Sequence, residues 1–183
     1  MVLAQSAAVA ASMAIDSKQP IQQVDISKLQ AFLKANPLAD GSIPEILVDN
    51  DDQAQTKVTG SWLTQTRGSY GPSMFSDESK GAEIKTVQFI PSVTKAGQYK
   101  AYAYFPKLAN GSSKTTVFIF DGKQKQEISI DKANITVVGQ TSGEWVPLGT
   151  YNLPKGQKAF VEISNKNADG IVVADAVLFV PEK

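Results

Sequence analysis

The sequence predicts a mainly β protein, an antiparallel β-sandwich of jelly-roll type with two short N-terminal helices. Three observations lead to this fold class. From Glu45 onward, short runs rich in β-branched and aromatic residues alternate with clusters of turn-forming residues. No helical pattern separates these runs, which argues against parallel strands joined by helices. Before Glu45, an alanine-rich stretch and a second, amphipathic stretch predict helices instead.

The first predicted helix covers residues 3–15, which are rich in alanine, the best helix former. A secretory signal is the alternative interpretation of this uncharged stretch. A signal needs a positively charged N-terminal region, however, and no lysine or arginine precedes Lys18. We therefore expect a folded helix that is terminated by Pro20, followed by a second helix from an N-cap at Asp25 to about Ala35.

A linker rich in turn formers, residues 39–44, separates the helical part from the β-rich part. The sequence thus predicts a helical segment with its linker, residues 1–44, and a β-sandwich domain, residues 45–183. Asp121-Gly122 lies between two β-rich runs and predicts a type I′ hairpin turn. The predicted strands are 46–49, 57–63, 83–90, 98–105, 115–121, 125–130, 145–153, 158–164 and 171–180.

The composition excludes several classes of function. Lys+Arg and Asp+Glu balance at 18 each, so no net charge attracts nucleic acid. The chain has no cysteine and no histidine, which removes disulfides, the usual zinc sites, and Ser-His or Cys-His catalytic pairs. No apolar run approaches the ~20 residues of a membrane span. We predict a chain without enzyme activity of its own, without a nucleic-acid partner and without a membrane span.

Alternation along residues 98–105 assigns side chains to two faces, because successive residues of a strand point to opposite sides. Tyr102 and Tyr104 are expected on the outer face beside Lys100. Exposed aromatic rings stack on the apolar face of a pyranose, so both tyrosines are candidate sugar-binding residues. The alternative is that a loop or the N-terminal helices cover them. The expected core face carries Tyr99, Ala101, Ala103 and Phe105.

Four further residues are candidate ligand contacts. Trp62 and Trp145 are possible stacking platforms, although tryptophan more often packs in a core or against a turn. Arg67 and Tyr70 lie in a polar loop, Thr-Gln-Thr-Arg-Gly-Ser-Tyr-Gly. The guanidinium of Arg67 can bind a uronate carboxylate in bidentate fashion. A structural ion pair with an acidic residue is the favoured interpretation of this arginine.

Asp175 and the acidic residues of the segment 49–52 are predicted to be structural. Asp175 lies inside an apolar run, where an unpaired carboxylate would be costly, so we expect it to accept hydrogen bonds from loop N–H groups or to meet Arg67 or a lysine. Residues 49–52, Asp-Asn-Asp-Asp, offer the oxygen ligands that Ca²⁺ takes. Their spacing matches no dedicated calcium loop. A solvated turn is therefore expected, with calcium as the alternative, and no metal site is predicted.

Between residues 46 and 180 a set of motifs follows a familiar order. The motifs are Ile46–Asn50, Val58–Trp62, Ser69–Gly71, Gly97–Pro106, Trp145–Tyr151 and Val173–Phe179. In this order they resemble the golvesin-type domain, which also occurs at the C-terminal end of proteins called xanthan lyase. The resemblance implies a carbohydrate-binding-like jelly roll, and hence a non-catalytic module whose partner is a polysaccharide or oligosaccharide.

The N-terminal residues carry a second resemblance. The alanine-rich residues 4–15, followed by Val24–Leu33, are similar to the tail of bacterial FAD-dependent oxidoreductases. This resemblance implies a larger parent flavoprotein, whose missing N-terminal domain would be a partner of this chain. The dinucleotide-binding motif Gly-x-Gly-x-x-Gly is absent, so we expect FAD only in the parent and no cofactor in this chain.

Three hypotheses of function follow. The first is a carbohydrate-binding module of a periplasmic or extracellular bacterial protein. The second is a structural domain that docks onto the parent flavoenzyme and stabilises it or its oligomer, in which case Tyr102 and Tyr104 lie under protein. The third is polysaccharide lyase activity, which needs a general base; the absence of histidine counts against it.

Overall fold

The computed structural model describes residues 2–35, 43–79, 83–137 and 141–182. Contacts between Cα atoms divide the chain into two compact units, Met1–Pro44 and Glu45–Lys183. The described helices are too short or too polar to cross a membrane.

The first unit contains two helices, α1 (Val2–Ser17) and α2 (Ile26–Ala35), with a 3-10 turn at Ile21–Gln23. The predicted cap of α2 is confirmed, because Asp25 Oδ1 accepts hydrogen bonds from the backbone N–H groups of Ser27 and Lys28 at 2.9 and 3.1 Å. Much of the apolar surface of this unit is exposed, including the side chains of Ile15, Ile26 and Phe32.

The second unit is built from antiparallel strands, which confirms the predicted fold class. The described part of the chain contains twelve strands: β1 (Ile46–Asp49), β2 (Thr56–Thr59), β3 (Leu63–Gln65), β4 (Met74–Ser76), β5 (Thr86–Phe89), β6 (Gly97–Pro106), β7 (Thr115–Phe120), β8 (Lys125–Ile130), β9 (Gly143–Leu153), β10 (Phe160–Ser164), β11 (Val173–Ala174) and β12 (Ala176–Pro181). Their orders are β1-β12-β6-β9 in a four-stranded sheet, β2-β5-β10-β7-β8 in a five-stranded sheet and β11-β4-β3 in a three-stranded sheet.

Alternate residues of the two larger sheets supply the core. In the four-stranded sheet Val48, Val177 and Ala103 lie directly opposite one another on β1, β12 and β6, and all are fully buried. The matching buried row of the five-stranded sheet is Val87, Ile163 and Val117. Burying one such valine or isoleucine contributes about 1.5–3 kcal/mol. The predicted core face of β6 is also confirmed, since Tyr99, Ala101, Ala103 and Phe105 are buried.

Two predicted strands are each divided in the structure. The run 57–63 is interrupted at Gly60, which has a φ of +79°, and β2 and β3 consequently belong to different sheets. The run 171–180 is interrupted at Asp175, so that β11 pairs with β4 while β12 lies between β1 and β6. The short strand Met74–Ser76 was not predicted.

The predicted hairpin at Asp121-Gly122 is present, but its turn is not type I′. The closing pair of β7 and β8 is Phe120 with Lys125, which leaves four residues in the loop. Within this loop only Gly122 has a positive φ, +97°, whereas a type I′ turn needs two such residues. The loop is closed by the Asp121 N–H, which donates to the Gln124 carbonyl at 3.2 Å, and by Asp121 Oδ1, which accepts from the N–H groups of Lys123 and Gln124, both at 2.8 Å.

Candidate functional site

Three aromatic side chains, Tyr70, Tyr104 and Trp145, pack together on the face of the four-stranded sheet that lies opposite the core; we call them the aromatic cluster. The ring centroid of Tyr70 is 4.8 Å from that of Trp145 and 5.5 Å from that of Tyr104. Tyr104 and Trp145 are 5.5 Å apart, with ring planes at 68°. Such edge-on and tilted pairs each stabilise by about 0.5–1.5 kcal/mol beyond their buried area.

The register of β6 and β9 places two members of the cluster together. Tyr104 lies directly opposite Trp145 in the antiparallel pair. The hydroxyl groups of Tyr104 and Ser142 are 3.3 Å apart, and Ser142 also donates to the carbonyl of Gly68. Gly143 must lack a side chain here, because a Cβ atom would lie 2.5 Å from the carbonyl oxygen of Phe105 and 2.7 Å from Tyr104 Cζ.

The third member, Tyr70, comes from the loop between β3 and β4. The Ser69 hydroxyl lies 3.0 Å from the carbonyl oxygen of Thr66 and 2.8 Å from that of Gly71, which closes the loop on itself. The backbone N–H of Tyr70 donates to Asp175 Oδ2 at 2.9 Å. Tyr70 nevertheless remains 48% exposed. The loop therefore holds an accessible ring in a fixed position.

Asp175 lies at the junction of β11 and β12 and is fully buried. Its Oδ1 atom has no hydrogen-bond partner among the described residues. The pKa of this carboxyl is raised to about 7: burial is the largest cause, the N–H groups of Tyr70 and Gly71 lower the pKa, and the charges of Asp49 and Asp51 contribute to raising it. The carbonyl of Asp175 also accepts a hydrogen bond from the N–H of Asn50 at 2.8 Å.

The acidic residues 49–52 form a hydrogen-bonded turn. Asp49 Oδ1 accepts from the N–H of Asp51, and Asp52 Oδ1 accepts from the N–H of Ala54, each at 3.1 Å. Burial raises the pKa of Asp49, with smaller contributions from the neighbouring carboxylates of Asp51 and Asp52, while the N–H of Asp51 lowers it. In the ranges that the structure describes, no three Asp, Glu, His or Cys residues are placed to hold a metal ion.

The structure corrects the expectation for Tyr104. Tyr104 lies on the expected outer face, but it is only 6% exposed because Tyr70 and Trp145 pack against it, which agrees with the alternative that a loop covers this ring. Tyr102, two residues earlier on the same face, is half-buried. The accessible rings of this region are thus Tyr70, Tyr102 and Trp145.

Two other candidate residues, Trp62 and Arg67, are not members of the aromatic cluster. Trp62 makes no ring contact with the aromatic cluster, and its indole N–H donates to the carbonyl of Thr59 at 3.0 Å, which is typical of a tryptophan packed on a turn. Arg67 is exposed in the loop that carries Tyr70. The favoured ion pair of Arg67 is not formed with any acidic residue of the described ranges.

Sequence reasoning missed a second feature of this face. Leu47, Leu178, Tyr102 and Pro147 lie opposite one another on β1, β12, β6 and β9, and we call them the apolar row. Strands lie ~4.8 Å apart, so the row extends about 15 Å across the sheet. Leu47 is 42% exposed, Pro147 is exposed, and the other two are half-buried. Parity within the runs 46–49 and 171–180 carried the signal that could have identified the two leucines.

A polar cleft of about 310 Å³ is lined by Asp77, Asn165 and Asp169 among others. Its carboxylates already have partners. Asp77 Oδ1 accepts from the N–H of Val172 at 2.8 Å. The Ser113 hydroxyl and N–H and the Ser112 hydroxyl lower the pKa of Asp169 to about 2. We therefore assign these carboxylates to loop structure and place the candidate site on the four-stranded sheet.

Comparison with known proteins gives three relevant similarities. A xanthan lyase of Bacillus sp. (strain GL1) is 32% identical over 143 residues, which are 75% of this chain and 15% of that protein. The structure of a Paenibacillus xanthan lyase is similar with a TM-score of 0.68 and 26% identity, over 76% of this chain and 13% of that one. CBM35 from Cellvibrio japonicus Abf62 is similar with a TM-score of 0.53 and 15% identity, over 76% of this chain and 95% of that one.

The chain thus corresponds to a small part of each xanthan lyase and to nearly the whole of CBM35. At 15% identity the similarity to CBM35 shows a shared fold alone. A comparison with protein families matches residues 46–181, most of the chain, to the family described as Golvesin C-terminal domain. This chain belongs to the Golvesin C-terminal domain family.

Proposed function

We propose that residues 46–181 form a non-catalytic carbohydrate-binding module, whose polysaccharide or oligosaccharide ligand contacts the aromatic cluster and the apolar row. The observation that carries the proposal is the ring of Tyr70, half exposed and held against Trp145 and Tyr104. A sugar ring stacks its apolar face on an aromatic ring. A ring already fixed by its neighbours loses little conformational freedom on binding, which favours affinity.

The named relatives support a carbohydrate ligand. The fold is shared with a module named for carbohydrate binding, and the family also occurs within proteins named xanthan lyase. The parent that we propose is a larger periplasmic or extracellular bacterial protein, either xanthan lyase-like or an FAD-dependent oxidoreductase, and any FAD belongs to the parent.

Arg67 favours an acidic glycan within this proposal. Its guanidinium is exposed in the same loop as Tyr70, and it forms no ion pair with a described acidic residue. Arginine binds a carboxylate through two parallel N–H···O bonds, so a uronate residue next to the stacked sugar fits this loop.

Affinity electrophoresis of the full chain tests the proposal. Migration is compared in gels that contain a neutral or a uronate-rich polysaccharide, for the wild type, Arg67→Gln and the control Lys123→Gln, an exposed charge in the β7–β8 loop. We expect stronger retardation by the uronate-rich polymer, reduced in Arg67→Gln and unchanged in Lys123→Gln. Wild-type migration that no polysaccharide retards would contradict the proposal.

A second candidate function is docking onto another domain of the parent protein. The apolar row favours it, because contiguous exposed apolar surface also marks protein interfaces. In that case Leu47→Lys would weaken association with the parent domain without changing retardation by polysaccharides. If the apolar row belongs to a glycan site, Leu47→Lys would instead reduce retardation by polysaccharides and leave association with the parent domain unchanged.

A further inference from the structure

We infer that Asp175 is a positioning residue for the aromatic cluster: its carboxylate holds the backbone of Tyr70, and the strength of that hold depends on pH. The consequence for sugar binding rests on the proposed function. The positioning itself does not, because it concerns contacts within this chain.

The junction between β11 and β12 explains why one carboxylate can position the cluster. β11 belongs to the three-stranded sheet with β4 and β3, whereas β12 lies in the four-stranded sheet. The loop between β3 and β4 leaves the first sheet and lays Tyr70 on the face of the second. Asp175, at the point where the chain passes between the two sheets, accepts the N–H of Tyr70. The hydrogen bond therefore joins the loop to the sheet that the Tyr70 ring must reach.

The surroundings of Asp175 favour a change of ionisation under ordinary conditions. The side chain is fully buried, and Oδ1 has no partner within the described residues. The charged groups that act on it are the carboxylates of Asp49 and Asp51, both of like sign. No lysine or arginine of the described ranges forms an ion pair with it. Together these effects raise the pKa of Asp175 to about 7.

Loss of the proton strengthens the hold on Tyr70. A hydrogen bond to an ionised acceptor is roughly twice as strong as one between neutral groups. The N–H of Tyr70 lowers the pKa of Asp175, as expected of a bond that favours the charged form. Above the titration midpoint we therefore expect Tyr70 to be fixed against Trp145, and below it to be held more loosely.

Tryptophan fluorescence tests the inference without any ligand. The chain has two tryptophans, so a Trp62→Phe background of the full chain leaves Trp145 as the reporter, in buffer with EDTA. No histidine is present, so no imidazole titrates near neutrality and competes with Asp175 as the source of a transition. We expect Trp145 emission to change with a midpoint near pH 7, and the change to vanish in Asp175→Asn, which keeps the α-amino group.

Two further variants keep the test decisive if Asp175→Asn does not fold. Asp49→Asn removes a like charge beside Asp175 and should move the midpoint to lower pH. Asp169→Asn, an aspartate that accepts loop hydrogen bonds elsewhere, should leave the midpoint unchanged. A folded wild type without a transition, a transition that persists in Asp175→Asn, or an unchanged midpoint in Asp49→Asn would overturn the inference. Failure of polysaccharide binding alone would overturn only the proposed function.

Discussion

Tyr70 and Asp175 are 105 residues apart in the sequence, yet the N–H of Tyr70 donates a 2.9 Å hydrogen bond to Asp175 Oδ2. The contact joins the most exposed ring of the aromatic cluster to a buried carboxylate at the junction of two sheets. The site is therefore assembled by a long-range contact and not by its local sequence. Substitution or a change of ionisation at Asp175 should therefore alter the position of the exposed Tyr70 ring.

Stability should fall as the pH rises from about 4 to about 7. The pKa of Asp175 is raised from 3.8 to about 7, so over this interval the folded chain keeps a proton that the unfolded chain has released. The free energy of unfolding is then highest below the unfolded pKa and decreases until the folded pKa is passed. The decrease for this group is at most about 4 kcal/mol. Urea unfolding at a series of pH values measures it.

Asp175→Asn should remove most of this pH dependence. A residual slope of the same sign should remain, because burial also raises the pKa of Asp49. Asp169→Asn serves as the control, and its profile between pH 4 and pH 7 should follow that of the wild type, since the pKa of Asp169 lies at about 2. Parallel profiles for the wild type and Asp175→Asn would show that Asp175 does not carry the effect.

Gly143→Ala should destabilise the fold and disturb the aromatic cluster. The added Cβ atom would lie 2.5 Å from the carbonyl of Phe105 and 2.7 Å from Tyr104 Cζ, and such overpacking typically costs about 1–3 kcal/mol. Gly97→Ala is the matched control, because a Cβ atom there meets nothing within 4 Å. Thermal unfolding followed by circular dichroism compares the two. Equal melting temperatures would contradict the close approach at Gly143.

Truncation of Tyr104 should act mainly on stability. Tyr104 is 6% exposed and lies beneath Tyr70 and Trp145, so Tyr104→Ala is expected to cost about 3–5 kcal/mol, as for other buried aromatic residues. Tyr104→Phe keeps the ring and loses the hydroxyl contact with Ser142, at about 0.5–1.5 kcal/mol. Denaturant unfolding measures both. A Tyr104→Ala variant as stable as the wild type would mean that the ring is not buried in solution.

Much of the fold could be predicted from the sequence because strand alternation is a local property. The core face of β6 and the pairing of β7 with β8 follow from neighbouring residues alone. The breaks at Gly60 and Asp175 do not, since the β-rich runs continue through both positions while the chain changes sheets. A type I′ turn was expected at Asp121-Gly122. In the structure the Asp121 carboxylate accepts hydrogen bonds from the N–H groups of Lys123 and Gln124, and the turn is of another type.

The candidate site was predicted as a set of residues and not as an arrangement. Tyr70, Tyr104 and Trp145 were each identified by chemistry, but their packing depends on the β6–β9 register and on the hold of Asp175 on a distant loop. For the same reason the burial of Tyr104 could not be predicted from the parity of its own strand. The apolar row needed the pairing of four strands, which no single run reveals.

The most direct measurement is the binding of the full chain to a polysaccharide array, for the wild type, Tyr70→Ala and the control Ile84→Ala, whose exposed side chain lies outside the aromatic cluster and the apolar row. Tyr70 is half exposed, so its truncation should leave the fold intact while removing the stacking surface. Loss of an aromatic contact of about 1.4 kcal/mol lowers the affinity about tenfold, and we expect a decrease of at least this size. We expect the wild type and Ile84→Ala to bind and Tyr70→Ala to lose binding. Equal signals from all three proteins, or none from the wild type, would contradict this expectation.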